Sequence, residues 1–99
     1  MICWKQGQSS PIHDHEGSSC GVRVIDGMAT ETLFHQTRPG FVKPVKKVHY
    51  SEGEVCVTGG DDIHLITNEQ ADADLITLHL YSPPLQMGFY ELDDGFDHS

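Results

Sequence analysis

This sequence predicts an all-β fold, a sandwich or a barrel, and three observations carry that reading. Glycine-bearing turns recur between short runs in which apolar and polar residues alternate with period two. No window sustains the 3.6-residue apolar period of an amphipathic helix. With 99 residues, 37% apolar and 21% charged, the chain suits one globular domain over residues 1–99 with a modest core.

Residues 20–26 and 29–35 are the first two candidate strands. Between them Asp26-Gly27 is suited to a tight turn, because glycine accepts positive φ. Residues 36–44 carry Pro39, Gly40 and Pro44 without alternation and are expected to form a loop. Residues 47–51, 54–58 and 63–69 alternate again, 68–74 read as a polar turn, and 75–81 and 87–92 complete the set of strands. The acidic tail, 93–99, is expected to fray. Trp4 and Phe34 are expected in the core, and Cys56, flanked by Val55 and Val57, is expected to be structural. His35 and His49 are expected at the surface, and Lys43, Lys46 and Lys47 form a solvated charge cluster.

Two strands have faces of unequal chemistry. In 20–26, Cys20, Val22 and Val24 share one face, and Gly21, Arg23 and Ile25 the other. In 75–81, Leu75, Thr77, His79 and Tyr81 face one way and Ile76, Leu78 and Leu80 the other. The ordinary arrangement buries the aliphatic face. A barrel holding a polar site would bury the other, and periodicity does not choose between them.

The net charge of −9, with no Lys or Arg after Asp61, argues against nucleic acid and anionic membrane as partners. No apolar run approaches a membrane span, and the polar N-terminus has no secretory leader. Three cysteines without CxxC spacing do not make a disulfide framework. A reducing, cytosolic location is therefore expected.

The stretch Gly7-Gln8-Ser9-Ser10-Pro11-Ile12-His13-Asp14-His15 carries the chemistry. His13 and His15, one residue apart on an extended backbone, can point to the same side, and imidazole is the commonest ligand for first-row transition metals. The spacing continues as Gly7-x5-His13-x-His15-x4-Cys20-x6-Gly27, and later Gly53-x5-Gly59-x-Asp61-x2-His64-x3-Asn68. These stretches resemble the paired motifs of the cupin superfamily. Cys20 stands where most metallocupins have a glutamate ligand, and Gly59 and Asp61 depart from the usual proline and glycine. The resemblance implies a cupin double-stranded antiparallel β-barrel, in agreement with the strand pattern.

Within that superfamily Cys3-Trp4, Ser10-Pro11-Ile12-His13-Asp14-His15, Cys20, Glu31-Thr32-Leu33-Phe34 and Leu78-His79-Leu80-Tyr81-Ser82-Pro83-Pro84 resemble the cysteine dioxygenase (thiol dioxygenase) family. The resemblance implies an Fe(II) cofactor held by His13, His15 and His64, with L-cysteine and O2 as substrates and both oxygen atoms ending on sulfur as the sulfinic acid. Three neutral ligands leave positions open for substrate, as a catalytic site requires. It further implies that Cys20 and Tyr81 are the pair joined by a thioether in some members, and that Thr77 and His79 orient the tyrosine hydroxyl.

One family feature has no counterpart here. The carboxylate-binding arginine lies upstream of the Cys-Trp block, and Cys3 is two residues from Met1. Arg23 is on the strand face opposite Cys20, and Arg38 is in the expected loop. The expectation is an N-terminally truncated member, either a fragment or a homo-oligomer in which another copy completes the barrel edge. Two functions follow: a dioxygenase for L-cysteine or another small thiol such as 3-mercaptopropionate, or a metal-binding cupin without catalytic turnover. Cys20 favours cysteine, because enzymes for 3-mercaptopropionate usually lack the inner cysteine.

Overall fold

The computed structural model describes residues 1–14, 19–59, 62–82 and 88–92, and over these the chain is all-β without a helix. Ten strands follow one another: β1 Ile2–Trp4, β2 His13–Asp14, β3 Ser19–Asp26, β4 Met28–Arg38, β5 Phe41–Ser51, β6 Val55–Thr58, β7 Ile63–Thr67, β8 Leu75–Ser82, β9 Gly88–Phe89 and β10 Glu91–Leu92. They form a four-stranded sheet, β1-β8-β3-β6, and a six-stranded sheet, β10-β5-β4-β7-β2-β9. Only β10 with β5 is parallel among the described pairings.

The larger sheet curls. β9 and β10 lie at its opposite ends, yet only Tyr90 separates them in the chain. Consecutive Cα atoms are about 3.8 Å apart, so the two edges are brought together. The Tyr90 amide bonds the Ile12 carbonyl and the Glu91 amide bonds the Gly40 carbonyl, which pins this closure. The expected strand 87–92 is therefore split in two by its barrel-closing residue.

The stretch 36–44, expected to be a loop, is instead the end of a long hairpin. β4 continues to Arg38, the chain reverses at Pro39-Gly40 with Gly40 at φ +83°, and β5 begins at Phe41. Pro44 is tolerated because the register skips Val45 there, pairing Leu33 with Lys46 and Phe34 with Pro44. β10 covers only Phe41 and Val42, so the proline meets no third strand. The Asp26-Gly27 turn forms as the sequence predicts. Gly27 has φ +91°, and a Cβ there would lie 2.7 Å from the Asp74 carbonyl oxygen.

Trp4, Val24 and Leu75 from the smaller sheet pack on Ala29 and Ile66 from the larger. Asn68, fully buried, locks the chain beneath this cluster. Its amide donates to the carbonyls of Trp4 (2.9 Å) and Ala73 (2.8 Å), and its oxygen accepts from the Gln70 amide (3.1 Å) and side chain (3.0 Å). Phe34 is only partly buried, whereas Trp4 is buried as expected and His35 and His49 are exposed.

Among the described residues nine polar or charged side chains are buried against ten apolar ones. So polar an interior belongs to a site as much as to a core. β8 shows it directly. Leu75 and Thr77 are buried and Leu78 is 37% exposed, so the polar face turns inward, as in the barrel alternative.

Candidate metal centre

The loop ahead of His13 is guided by β7. The Gly7 amide bonds the Asn68 carbonyl, the Asn68 amide bonds the Gln8 carbonyl, and the Ser10 amide bonds the Ile66 carbonyl, at 2.8–3.0 Å. Pairing then places His13 directly opposite His64 across β2 and β7. Directly opposed side chains project from the same face of a sheet. The two buried rings lie 4.8 Å apart, centroid to centroid, tilted by 57°.

Each ring has its Nδ1 committed. His13 Nδ1 donates to the Pro11 carbonyl (2.7 Å), and His64 Nδ1 donates to the Glu31 carboxylate (2.7 Å). A backbone carbonyl and a carboxylate are the usual outer partners of metal-binding imidazoles, and they leave Nε2 as the coordinating nitrogen. Burial pushes the His13 pKa down, opposed by the Pro11 carbonyl, so the neutral ligand form is favoured. The donor chemistry of His13 and His64 therefore fits a first-row metal. His15 lies outside the described residues, and among the described residues no three His, Cys, Asp or Glu side chains are grouped to hold a metal.

Glu31 is the residue that sequence reasoning missed. It was part of a family block without a role, and its signal was a lone acid in the run Met28-Ala29-Thr30-Glu31-Thr32-Leu33-Phe34. In β4 it pairs with Ile66, two residues along β7 from His64, within diagonal reach of a long side chain. Its Oε2 accepts from His64 Nδ1, the Cys56 thiol (3.2 Å) and the Thr58 hydroxyl (3.2 Å), and its Oε1 from the Tyr50 hydroxyl (3.3 Å). Burial alone would raise its pKa. The hydrogen bonds from His64, Cys56 and Thr58 outweigh it and hold the carboxyl below the usual range. Cys56, pushed up to about 11 chiefly by burial, stays a thiol and can donate. It is structural, as expected, but through this bond as well as through packing.

The smaller sheet supplies the opposite wall. Cys20 is 2% exposed and its register partners are Thr58 on β6 and Tyr81 on β8. None of the three cysteines is in a disulfide. Trp4 Nε1 donates to the Thr77 hydroxyl oxygen (2.9 Å), and that hydroxyl is hydrogen-bonded to His79 Nε2 (2.8 Å). The His79 ring stacks on Trp4 at 6.2 Å. Burial lowers the His79 pKa, and the positive N-terminus, His13 and His64 lower it further. The Tyr81 side chain lies outside the described residues, as do Gly60, Asp61, Pro83 and Pro84.

Beside the histidines, Asp14 accepts a hydrogen bond from the Tyr90 hydroxyl, so the barrel-closing residue also braces β2. The arginines stand elsewhere. Arg23 is exposed on the outer face of β3, and Arg38 is exposed at the β4–β5 turn with its guanidinium 4.1 Å over the Phe41 ring.

Comparison with known proteins agrees with this geometry. The family model for cysteine dioxygenase type I matches residues 1–90. Cysteine dioxygenase type 1 of Danio rerio is 34% identical in a 92-residue alignment that covers 87% of this chain and 45% of that protein. The Rattus norvegicus protein of the same name is 34% identical over 87 residues, 85% of this chain and 44% of its own length. The chain thus spans a little under half the length of the curated relatives it matches. A Klebsiella pneumoniae protein with a double-stranded β-helix domain superposes with TM-score 0.71 at 18% identity, covering 89% of this chain and 65% of that one. The capsular polysaccharide assembling protein CapF of Staphylococcus aureus gives 0.70 at 19% identity, covering 91% of this chain and 26% of its own. At those identities the structures speak for the cupin fold.

Proposed function

The chain belongs to the cysteine dioxygenase type I family, and from that premise we propose that it is an Fe(II)-dependent thiol dioxygenase that converts L-cysteine to cysteine sulfinic acid with O2. The observation that carries the proposal is the His13–His64 pair, with both Nδ1 atoms engaged and both rings buried side by side. His13, His15 and His64 would hold the iron, which when bound supplies the chemistry that activates O2 toward a thiol. The chain's own residues do the positioning. Pro11 and Glu31 fix the two imidazoles, and Thr77, itself bonded by Trp4, holds His79. The register that sets Cys20 opposite Tyr81 supports a thioether between them. That bond joins Sγ to the tyrosine ring with loss of two hydrogens, and O2 is the oxidant.

A metal-binding cupin without turnover is the second reading. It is favoured by the exposed, outward positions of Arg23 and Arg38, since a cysteine carboxylate is usually held by arginine. Oxygen uptake by Fe(II)-loaded protein, with sulfinate detection, separates the two. Uptake with L-cysteine, matched by sulfinate, is the expected result. Uptake with 3-mercaptopropionate alone reassigns the substrate, and bound iron with neither thiol consumed rejects the enzyme. Intact mass after aerobic turnover should show loss of two hydrogens, absent in Cys20→Ser. An unchanged mass in the active protein leaves Cys20 as an inward thiol.

A further inference from the structure

We propose that Glu31 is a positioning residue for the metal centre: it fixes the His64 tautomer and supplies, through His64, the negative charge that the cupin ligand position occupied by Cys20 does not. The proposal rests on the reading of His64 as a metal ligand. Its basis is geometric. Among the described residues the carboxylate meets the histidine pair through His64 Nδ1, on the far side of the ring from Nε2, so it acts behind the ligand. It is 3% exposed and reaches four donors from three other strands, which aim it: Tyr50 on β5, Cys56 and Thr58 on β6, and His64 on β7. A bond to a neutral acceptor would set the tautomer alone. A bond to a buried carboxylate also makes the imidazole a better electron donor.

The inward position usually filled by an acidic ligand is here a cysteine, with Cys20 buried opposite Thr58. Thr58 in turn donates to Glu31, so the acid has one strand between it and the position it replaces. The arrangement keeps a negative charge near the centre while leaving an additional coordination position unblocked. A role confined to tying β4 to β6 would need neither the His64 bond nor its placement on the nitrogen opposite the coordinating one.

The test compares the wild-type chain with Glu31→Gln, which keeps the size and one acceptor oxygen for His64, Cys56 and Thr58, turns its amide toward the Tyr50 hydroxyl, and removes the charge. Co(II) is the probe, with affinity measured by chelator competition and coordination followed by visible absorption. Loss of an outer partner typically weakens metal binding by about 10–100-fold. We expect that loss in folded Glu31→Gln, a shifted Co(II) spectrum, and partial recovery in Glu31→Asp. Affinity within twofold of wild type overturns the proposal. If Glu31→Gln does not fold, the His64 tautomer in the metal-free wild type decides, read from long-range nitrogen–proton correlations. A proton on Nδ1 is expected, and a proton on Nε2 overturns it. Wild-type protein that binds no Co(II) rejects the ligand set and this inference together, whereas equal binding by both forms rejects only the inference.

Discussion

Replacing His64 with alanine is expected to abolish iron binding, lowering affinity by more than the roughly hundredfold upper range for losing an outer partner alone. Two losses coincide in this variant. The Nε2 donor is gone, and Glu31, 3% exposed, loses the strongest of its four hydrogen-bond donors. Taking one donor from a buried carboxylate leaves it partly unsatisfied, at a cost of about 1–3 kcal/mol, so the metal-free protein should also melt earlier. Iron per folded chain, measured after gel filtration, separates the effects. A folded variant with wild-type iron content would overturn the assignment of His64 as a ligand.

Asn68→Ala is expected to be the most damaging substitution outside the site. The side chain satisfies two carbonyls and two donors at zero exposure, and alanine can replace none of them. Each buried group left unsatisfied costs about 1–3 kcal/mol, so a loss of about 3–5 kcal/mol is expected. That is a large part of the 5–15 kcal/mol typical of a domain. Denaturant unfolding measures it directly. A loss under about 1 kcal/mol would show that water or relaxation replaces these bonds. The residue's place in the cupin-like spacing is then explained by fold support: Asn68 joins the end of β7 to Trp4 and to the turn before β8.

Much of this was legible in the sequence, for identifiable reasons. Period-two alternation is local, so β3, β6, β7 and β8 appeared near their true limits. The hairpin tip at 36–44 did not, because Pro44 and Pro39 signal a break and the skipped Val45 that accommodates Pro44 depends on register. β1 and β2 were missed because strands of three and two residues have no period to read. The inward face of β8 was undecided for a different reason. Thr77 turns inward where Trp4, 73 positions away in the chain, offers it a hydrogen bond, and no local pattern announces that partner.

The site divides in the same way. His13 and His64 were found through spacing, since motif distances survive in the chain. Glu31 was not, because its role arises from a diagonal contact between β4 and β7 and from donors on a separate sheet. A charge in the middle of a strand is an anomaly in sequence. It becomes intelligible once Cys56, Thr58 and Tyr50 surround it.

The closure at Tyr90 bears on where a strand from another chain could add to this domain. The larger sheet ends in β9 and β10, each two residues long, and so offers little backbone for another chain to extend. The smaller sheet is less protected. Its outer strand β6 has four residues, with Val55 and Val57 at 51% and 75% exposure. β6 is the longest edge among the described strands, and strand addition there would set an adhesive flank against the strand that supplies Cys56 and Thr58 to the interior.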